Sequence, residues 1–206
     1  MLERGFQVTA LDPSPKMLER LRAKTPAAVW NLETRLGSTR SLSSLPPFRG
    51  EPFQGAFAFL GPLNYDPGLE DFGGALAGRL APGACFVFSW FSSLCLWSLG
   101  ADFLRGRWAR LSRRIMGQGV MVEVGGRKLL GFCHSWTGVN RAFGKFFEPV
   151  ERQGMGVILP SHAWEGRIPP ALRGWLSGVD GVLERLGPFR ALGELQAAVL
   201  RSRRLG

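Results

Sequence analysis

The sequence predicts an α/β domain built on a mostly parallel sheet, and three observations carry that prediction. Apolar runs of strand length alternate with amphipathic helical stretches through the first 90 residues. The runs are separated by turns rich in Pro, Gly or Asp. The chain's 206 residues suffice for one domain with a substantial core, and its composition, 45% hydrophobic against 20% charged, is that of a globular protein.

The elements follow in order. Residues 6–11 (FQVTAL) are strand formers that run into Asp12-Pro13-Ser14-Pro15, where the prolines rule out a continuing helix. Over 14–24, Met17, Leu18 and Leu21 recur at helical spacing, with Ser14 as the cap and Pro15 in the first turn. Residues 29–32 read as a short strand and 37–47 as a Ser/Pro-rich loop. The run GAFAFL, 55–60, suits a strand buried on both faces, with Phe57 and Phe59 in the core. A helix over 67–80 closes at Ala81-Pro82-Gly83, and 84–90 is the next buried strand.

Beyond Phe91 the pattern changes. Residues 94–116 read as one helix with a basic side, and 120–124 with 127–132 as a hairpin about Gly125-Gly126. A short amphipathic helix over 141–147, a strand over 154–159 and a helix over 169–186 follow, while 191–201 suits either a strand or a helix. The expected division is a core over 1–91 and, over 92–206, an insert plus elements that complete the same domain.

Charge and cysteine content narrow the classes of function. The formal charge is +10, but 22 of the 26 basic residues are Arg, beside abundant Gly, Ala, Leu and Pro. A GC-rich coding sequence writes that bias without functional demand, so a nucleic-acid partner is open but not favoured. Cys85, Cys95 and Cys133 are odd in number and show no metal-ligand spacing, which argues against a disulfide framework or zinc site and suits a cytoplasmic protein. No signal peptide is expected at the N-terminus. The uncharged stretch 84–101 approaches the length of a membrane span, yet its four serines fit a buried strand running into a helix better.

Asp12 is the leading candidate for chemistry. It closes a strand just before a helix, where α/β sheets bind ligands and where an acid can accept hydrogen bonds from a pair of hydroxyls. An Asp before Pro is also an ordinary turn former. His134 can serve as a general base, although a lone histidine making one hydrogen bond is the commoner role. The only other histidine is His162. No Ser/His/Asp arrangement, P-loop or metal motif is present.

The segment GFQVTALDPSPKML (5–18) closely resembles the second strand and following turn of class I S-adenosylmethionine-dependent methyltransferases, which read approximately G-h-x-V-x-G-h-D-x-S-x-x-M-L, with h hydrophobic. FQGAFAFLGPLNY (53–65) is similar to that family's fourth strand and loop, and LAPGACFVFS (80–89) to its next strand, L-x-P-G-G-x-h-h-h-S. The resemblance covers roughly residues 1 to 90, with three motifs in order. It implies a Rossmann-like, doubly wound sheet with an inserted α+β cap, and methyl transfer from S-adenosylmethionine to a small, apolar or aromatic acceptor. By the same resemblance Asp12 and Pro13 meet the ribose, Met17 the adenine, and Phe59, Leu60 and Gly61 the methionine end. Asn64, Tyr65 and His134 then lie near the acceptor.

The chain departs from the family in three places. The Gly-x-Gly turn expected some twenty residues before Asp12 does not occur in the eleven residues that precede it, so the domain is expected to be N-terminally incomplete. Ser38 stands where an acid often meets the adenine amine, and Gln54 where an Asp is usual. These departures leave one alternative, a methyltransferase-like binding module without activity, and the arginine-rich composition leaves another, an RNA-directed methyltransferase.

Overall fold

The computed structural model describes residues 2–25, 31–124, 126–159 and 169–203. Strand β1 (Val8–Asp12) leads through Pro13 into helix α1 (Pro15–Lys24). The Ser14 hydroxyl accepts from Met17 N at 3.4 Å, and Pro15 sits in the first turn, where its missing N–H costs nothing. Strand β2 (Leu32–Leu36) pairs parallel with β1, with Asp12 opposite Leu36. Half of the expected strand at 29–32 lies outside the described residues, which omit 26–30, and the observed ladder begins at Leu32. An apolar-run reading misses it because two of its five residues, Glu33 and Arg35, are charged; they pair with each other at 2.6 Å. The expected loop over 37–47 holds a 3-10 turn at Thr39–Ser44 that buries Leu42.

Strand β3 (Phe53–Ala58), helix α2 (Leu69–Ala77) and strand β4 (Leu80–Phe91) follow, with β3 and β4 parallel. The single helix expected over 94–116 is two, α3 (Leu96–Leu104) and α4 (Trp108–Ile115). Gly106 adopts φ 64°, and its N–H donates to Phe103 O at 3.0 Å, a left-handed glycine close of the kind that ends helices. The hairpin is found as β5 (Val120–Val124) and β6 (Arg127–Gly131).

Helix α5 (Trp136–Phe143) begins five residues before the expected 141–147, because Ser135 caps it by accepting from Gly138 N at 3.1 Å. The expected strand over 154–159 is β7 (Phe147–Met155), whose Glu148 and Glu151 disguise it in sequence. Charged side chains suit its place at the edge of the sheet. Helix α6 (Pro170–Leu183) and strand β8 (Leu195–Ser202) complete the chain, so the segment left open between strand and helix is a strand.

The strands form a four-stranded sheet of order β3-β4-β8-β7, a separate parallel pair β1-β2, and the β5-β6 hairpin. Strand β8 runs antiparallel to both of its neighbours, so β3, β4 and β7 share one direction. Among the described residues no strand pairs with both β1 and β3, and each keeps an open edge.

The core lies on one face of the larger sheet. Phe86, Phe88 and Trp90, alternate residues of β4, are fully buried there against α2 and α5. Phe86 and Phe88 stack with ring centroids 4.6 Å apart, and Phe143 meets Phe88 at 5.4 Å. Gly73 lets the two helices approach: a side chain there would lie 3.0 Å from Ala142 O. The expectation that β3 is buried on both faces does not hold. Ala56 and Ala58 pack on the core, whereas Phe57 is 53% exposed and Phe59 is exposed beyond the strand end. Alternate residues of β3 face opposite sides of the sheet, and the core covers only the side of Ala56 and Ala58.

What ties the β1-β2 pair to the larger sheet is residues 39–51. Leu42 and Phe48 enter the core, joined by the half-buried Leu11 and Leu45. Arg79, just before β4, reaches across to this segment. Its guanidinium pairs with Glu51, donates to Leu42 O at 2.8 Å and Leu45 O at 2.6 Å, and lies 4.7 Å from the Phe48 ring centroid.

Three substitutions test these assignments. Arg79→Met leaves the Leu42 and Leu45 carbonyls without this donor and the half-buried Glu51 carboxylate with only Phe48 N, and should lower unfolding stability by about 2–3 kcal/mol in urea. Phe88→Ala should cost about 3–5 kcal/mol by the same measurement, and Phe57→Ala less than about 1 kcal/mol, since half of Phe57 is already in water.

Candidate functional site

The carboxyl ends of β1 and β2 lie side by side, held by Gly37 N donating to Asp12 O at 3.2 Å. The Asp12 carboxylate closes a local turn, with Oδ1 accepting from Ser14 N at 2.8 Å. Its second oxygen has no partner among the described residues. Pro13 is exposed, and Met17 is 51% exposed on the first turn of α1, so Met17 is not a core residue; Leu18 fills that role. Ser38 follows the end of β2 and is half-buried, with its N–H donating to Ser41 Oγ at 2.8 Å. The structure therefore places Asp12, Pro13, Met17 and Ser38 around one pair of strand ends.

The second cluster stands at the end of β3. Leu60 and Gly61 both take left-handed backbone, φ 66° and 74°, which for Leu60 is a strained conformation. The turn is fixed because Leu60 N donates to Ser89 Oγ at 2.9 Å and because a side chain at Gly61 would lie 2.8 Å from the Phe91 ring. Phe59 and Leu60 project into solvent.

Asn64 occupies the 3-10 turn Pro62–Tyr65 that follows and is buried. Its amide donates to Phe91 O at 3.2 Å and Phe132 O at 2.6 Å, and accepts from Phe91 N at 2.8 Å. These bonds clamp the end of β4 to the end of the hairpin and occupy the group expected to meet an acceptor. Tyr65, exposed to solvent, is the side chain of this turn that remains open.

His134 arrives from beyond the hairpin, with Nε2 3.3 Å from Leu63 O. Its main-chain O accepts from Trp90 Nε1 at 3.0 Å. Burial lowers the imidazole pKa from its usual 6.5, partly offset by the Leu63 carbonyl and by Asp66. His162 lies outside the described residues.

Asp66 is a residue that sequence reasoning passed over. It is 2% exposed; Oδ1 accepts from Gly68 N at 3.0 Å, and Oδ2 is buried without a hydrogen-bond partner. The one sequence signal is an acid placed before Pro67, which reads as an ordinary turn. Its structural weight is larger, because Arg40 Nε lies 3.6 Å from Oδ1. Arg40 stands two residues beyond Ser38, so this ion pair brings the Asp12–Ser38 cluster and the Gly61–His134 cluster to neighbouring positions on one rim of the molecule.

The same rim carries an acid with a spare oxygen, exposed apolar side chains and a strained backbone turn, which together suit a ligand with hydroxyls and an apolar ring. Among the described residues no group of three potential metal ligands exists, and no helix is long and apolar enough to cross a membrane. A small cleft lined by Gln7, Thr9, Asn31, Glu33 and Arg49 lies at the amino-terminal half of β1 and β2, away from Asp12.

The depressed pKa of His134 sets a sign for pH dependence. Its folded pKa lies below the unfolded value of 6.5, so the contribution is full above 6.5 and is lost as pH falls toward the folded pKa. The midpoint of thermal unfolding should fall when pH is lowered from above to below 6.5. That fall should be smaller in His134→Gln, and an identical fall in both proteins would remove His134 from the account.

No family model matches the sequence, and no curated protein matches it. Solved structures do. A protein described as an S-adenosylmethionine-dependent methyltransferase from Methanosarcina mazei superposes with a TM-score of 0.60 at 12% identity, covering 100% of this chain and 85% of that one. One from Mesorhizobium loti gives 0.54 at 18% identity, covering 94% and 79%. One from Clostridium acetobutylicum gives 0.56 at 11%, covering 95% and 74%. The order of strands and helices, and the likeness to these structures over nearly the whole chain, establish that it has the class I S-adenosylmethionine-dependent methyltransferase fold.

Proposed function

We propose that this protein binds S-adenosylmethionine at the carboxyl ends of β1, β2 and β3 and transfers its methyl group to a small acceptor. The observation that carries this reading is Asp12. One oxygen of its carboxylate is fixed by Ser14 N, so the side chain is oriented, and the other has no partner, so it can accept from a ribose hydroxyl.

The residues present fit the cofactor. Met17 offers an exposed thioether and apolar surface beside Asp12 for the adenine, with Pro13 next to it. Ser38 supplies a hydroxyl in place of an acid. At the far end of the rim, Phe59, Leu60 and Gly61 form a turn whose backbone can approach a ligand closely.

S-adenosylmethionine supplies a methyl group on a positively charged sulfur, activated without help from the protein. The task of the chain is then to hold the acceptor atom in line and to keep water out. Tyr65 is open to solvent near the Gly61 turn and can orient an acceptor through its hydroxyl. His134 donates from Nε2 to Leu63 O, which positions the Leu63–Tyr65 turn, and burial lowers its pKa, which makes the imidazole a weaker base toward a proton released from the acceptor. An acceptor that is apolar or aromatic suits the exposed Phe57 and Phe59 pair, whose centroids lie 6.1 Å apart. Three free cysteines suit a reducing compartment such as the cytoplasm.

Calorimetric titration of the chain with S-adenosylhomocysteine should give saturable binding. Asp12→Asn keeps the turn acceptor for Ser14 N but removes the charge, and should weaken that binding by roughly tenfold to a hundredfold with the unfolding midpoint unchanged. Equal affinity in the two proteins would show that Asp12 does not meet the ribose.

A further inference from the structure

The corner formed by α3 and α4 carries an exposed surface that the methyl-transfer reading does not use. Leu104 is 85% exposed, Met116 71%, and Phe103 and Trp108 57% each. Phe103 and Trp108 pack edge to face at 5.0 Å, so they form one protruding apolar knob rather than two mobile side chains. Ile115, two turns along α4 from Trp108, extends the apolar stripe and is exposed as well.

The same corner is basic. Arg105, Arg107, Arg110 and Arg113 fall within nine residues. The acid that approaches them is Asp102, which is buried and lies 3.7 Å from Arg110. The other three arginines have no acidic partner among the described residues and are exposed. On α4 the exposed Arg110 and Arg113 lie on the side of the helix away from Trp108 and Ile115.

A fixed base supports this surface. Arg114 is buried and donates to Ser92 O at 2.9 Å, which anchors α4 to the residue after β4. The knob therefore projects from a rigid foundation near the carboxyl end of β4.

We infer that the α3–α4 corner docks on an anionic lipid bilayer surface. Exposed apolar side chains on one stripe and arginines on the other form an amphipathic pattern that lies in a membrane interface without crossing it. Trp108 and the Arg side chains suit the headgroup level, and Leu104, Ile115 and Met116 the outer acyl region. Charge complementarity selects anionic lipid: the corner has three unpaired guanidiniums, and the whole chain has a formal charge of +10. A single-stranded nucleic acid would use the arginines and the aromatic rings, but it offers nothing to the aliphatic Leu104, Ile115 and Met116. The inference does not depend on the methyl-transfer reading.

Co-sedimentation of the 206-residue protein with vesicles tests it. Vesicles of phosphatidylcholine with about one third phosphatidylglycerol should retain the chain, and pure phosphatidylcholine should retain much less. Leu104→Ser with Trp108→Ser should weaken retention by at least about tenfold. Arg105→Gln with Arg113→Gln should weaken it by roughly 25-fold, about fivefold per charge. All four positions are exposed, so both variants should keep the wild-type unfolding midpoint.

Retention unchanged in both variants, or none on anionic vesicles, would overturn the proposal. So would tight, salt-sensitive binding of a single-stranded RNA by a chain that ignores vesicles. A stable dimer in which the Leu104 and Trp108 substitutions release monomer while vesicle binding is absent would also overturn it, by assigning the corner to a second copy. Loss of S-adenosylhomocysteine binding leaves this test unaffected, so the two readings fail separately.

Discussion

Arg79 joins two sheets that share no strand, and the rest of the arrangement depends on that join. The β1-β2 pair carries Asp12 and Ser38, the larger sheet carries the Gly61 turn and Asn64, and no ladder connects them among the described residues. Their relative position is set by the 39–51 segment, which Arg79 holds through Glu51 and two main-chain carbonyls while Leu42 and Phe48 fill the core beneath. A guanidinium suits this task because its planar donors serve a carboxylate and carbonyls at once while its face lies over an aromatic ring. At the rim that carries the candidate site the Arg40–Asp66 pair makes a second, weaker tie, with one partner in solvent. The candidate site is thus assembled by side chains across a seam rather than by a continuous sheet.

The sequence was most legible where local chemistry is strong. Asp12-Pro13-Ser14-Pro15 ends a strand and starts a helix by rules that act within a few residues, and the structure follows them. The β5-β6 hairpin is of the same kind. Strands with charged residues were not legible as strands. Glu33 and Arg35 neutralise each other on β2, and Glu148 and Glu151 face water from an edge strand, so neither stretch shows the apolar run that marks a buried strand. The break at Gly106 was hidden for another reason: amphipathic periodicity continues through it, and the left-handed turn depends on one glycine among ordinary helix formers.

The site was legible by motif but not by role. Asp12, Ser38 and Gly61 could be placed from the chain alone because they sit at strand ends. Whether a side chain at such a place faces a ligand or the scaffold depends on its neighbours in space. Asn64 illustrates the difference: Phe91 and Phe132, 27 and 68 residues away, use up its amide. Asp66 illustrates the converse, since nothing local distinguishes a turn acid from a buried one tied to Arg40. Phe57 is exposed because successive side chains of a strand face opposite sides of the sheet, and only the side of Ala56 and Ala58 packs on the core.

The position of β8 has a consequence for how the molecule is made. Residues 195–202, near the end of the chain, lie in the middle of the larger sheet, between β4 and β7. During synthesis β3 and β4 can pair as soon as they emerge, but β7 has no partner until the closing strand has left the ribosome. Until then β4 also presents a bare edge carrying Phe86, Phe88 and Trp90, the most apolar stretch of the sheet. Until β8 is made, the nascent protein therefore holds its central aromatic strand half-paired, a state in which unpaired edges and exposed apolar surface invite wrong association. Loss of residues 195–202 would leave that state permanent.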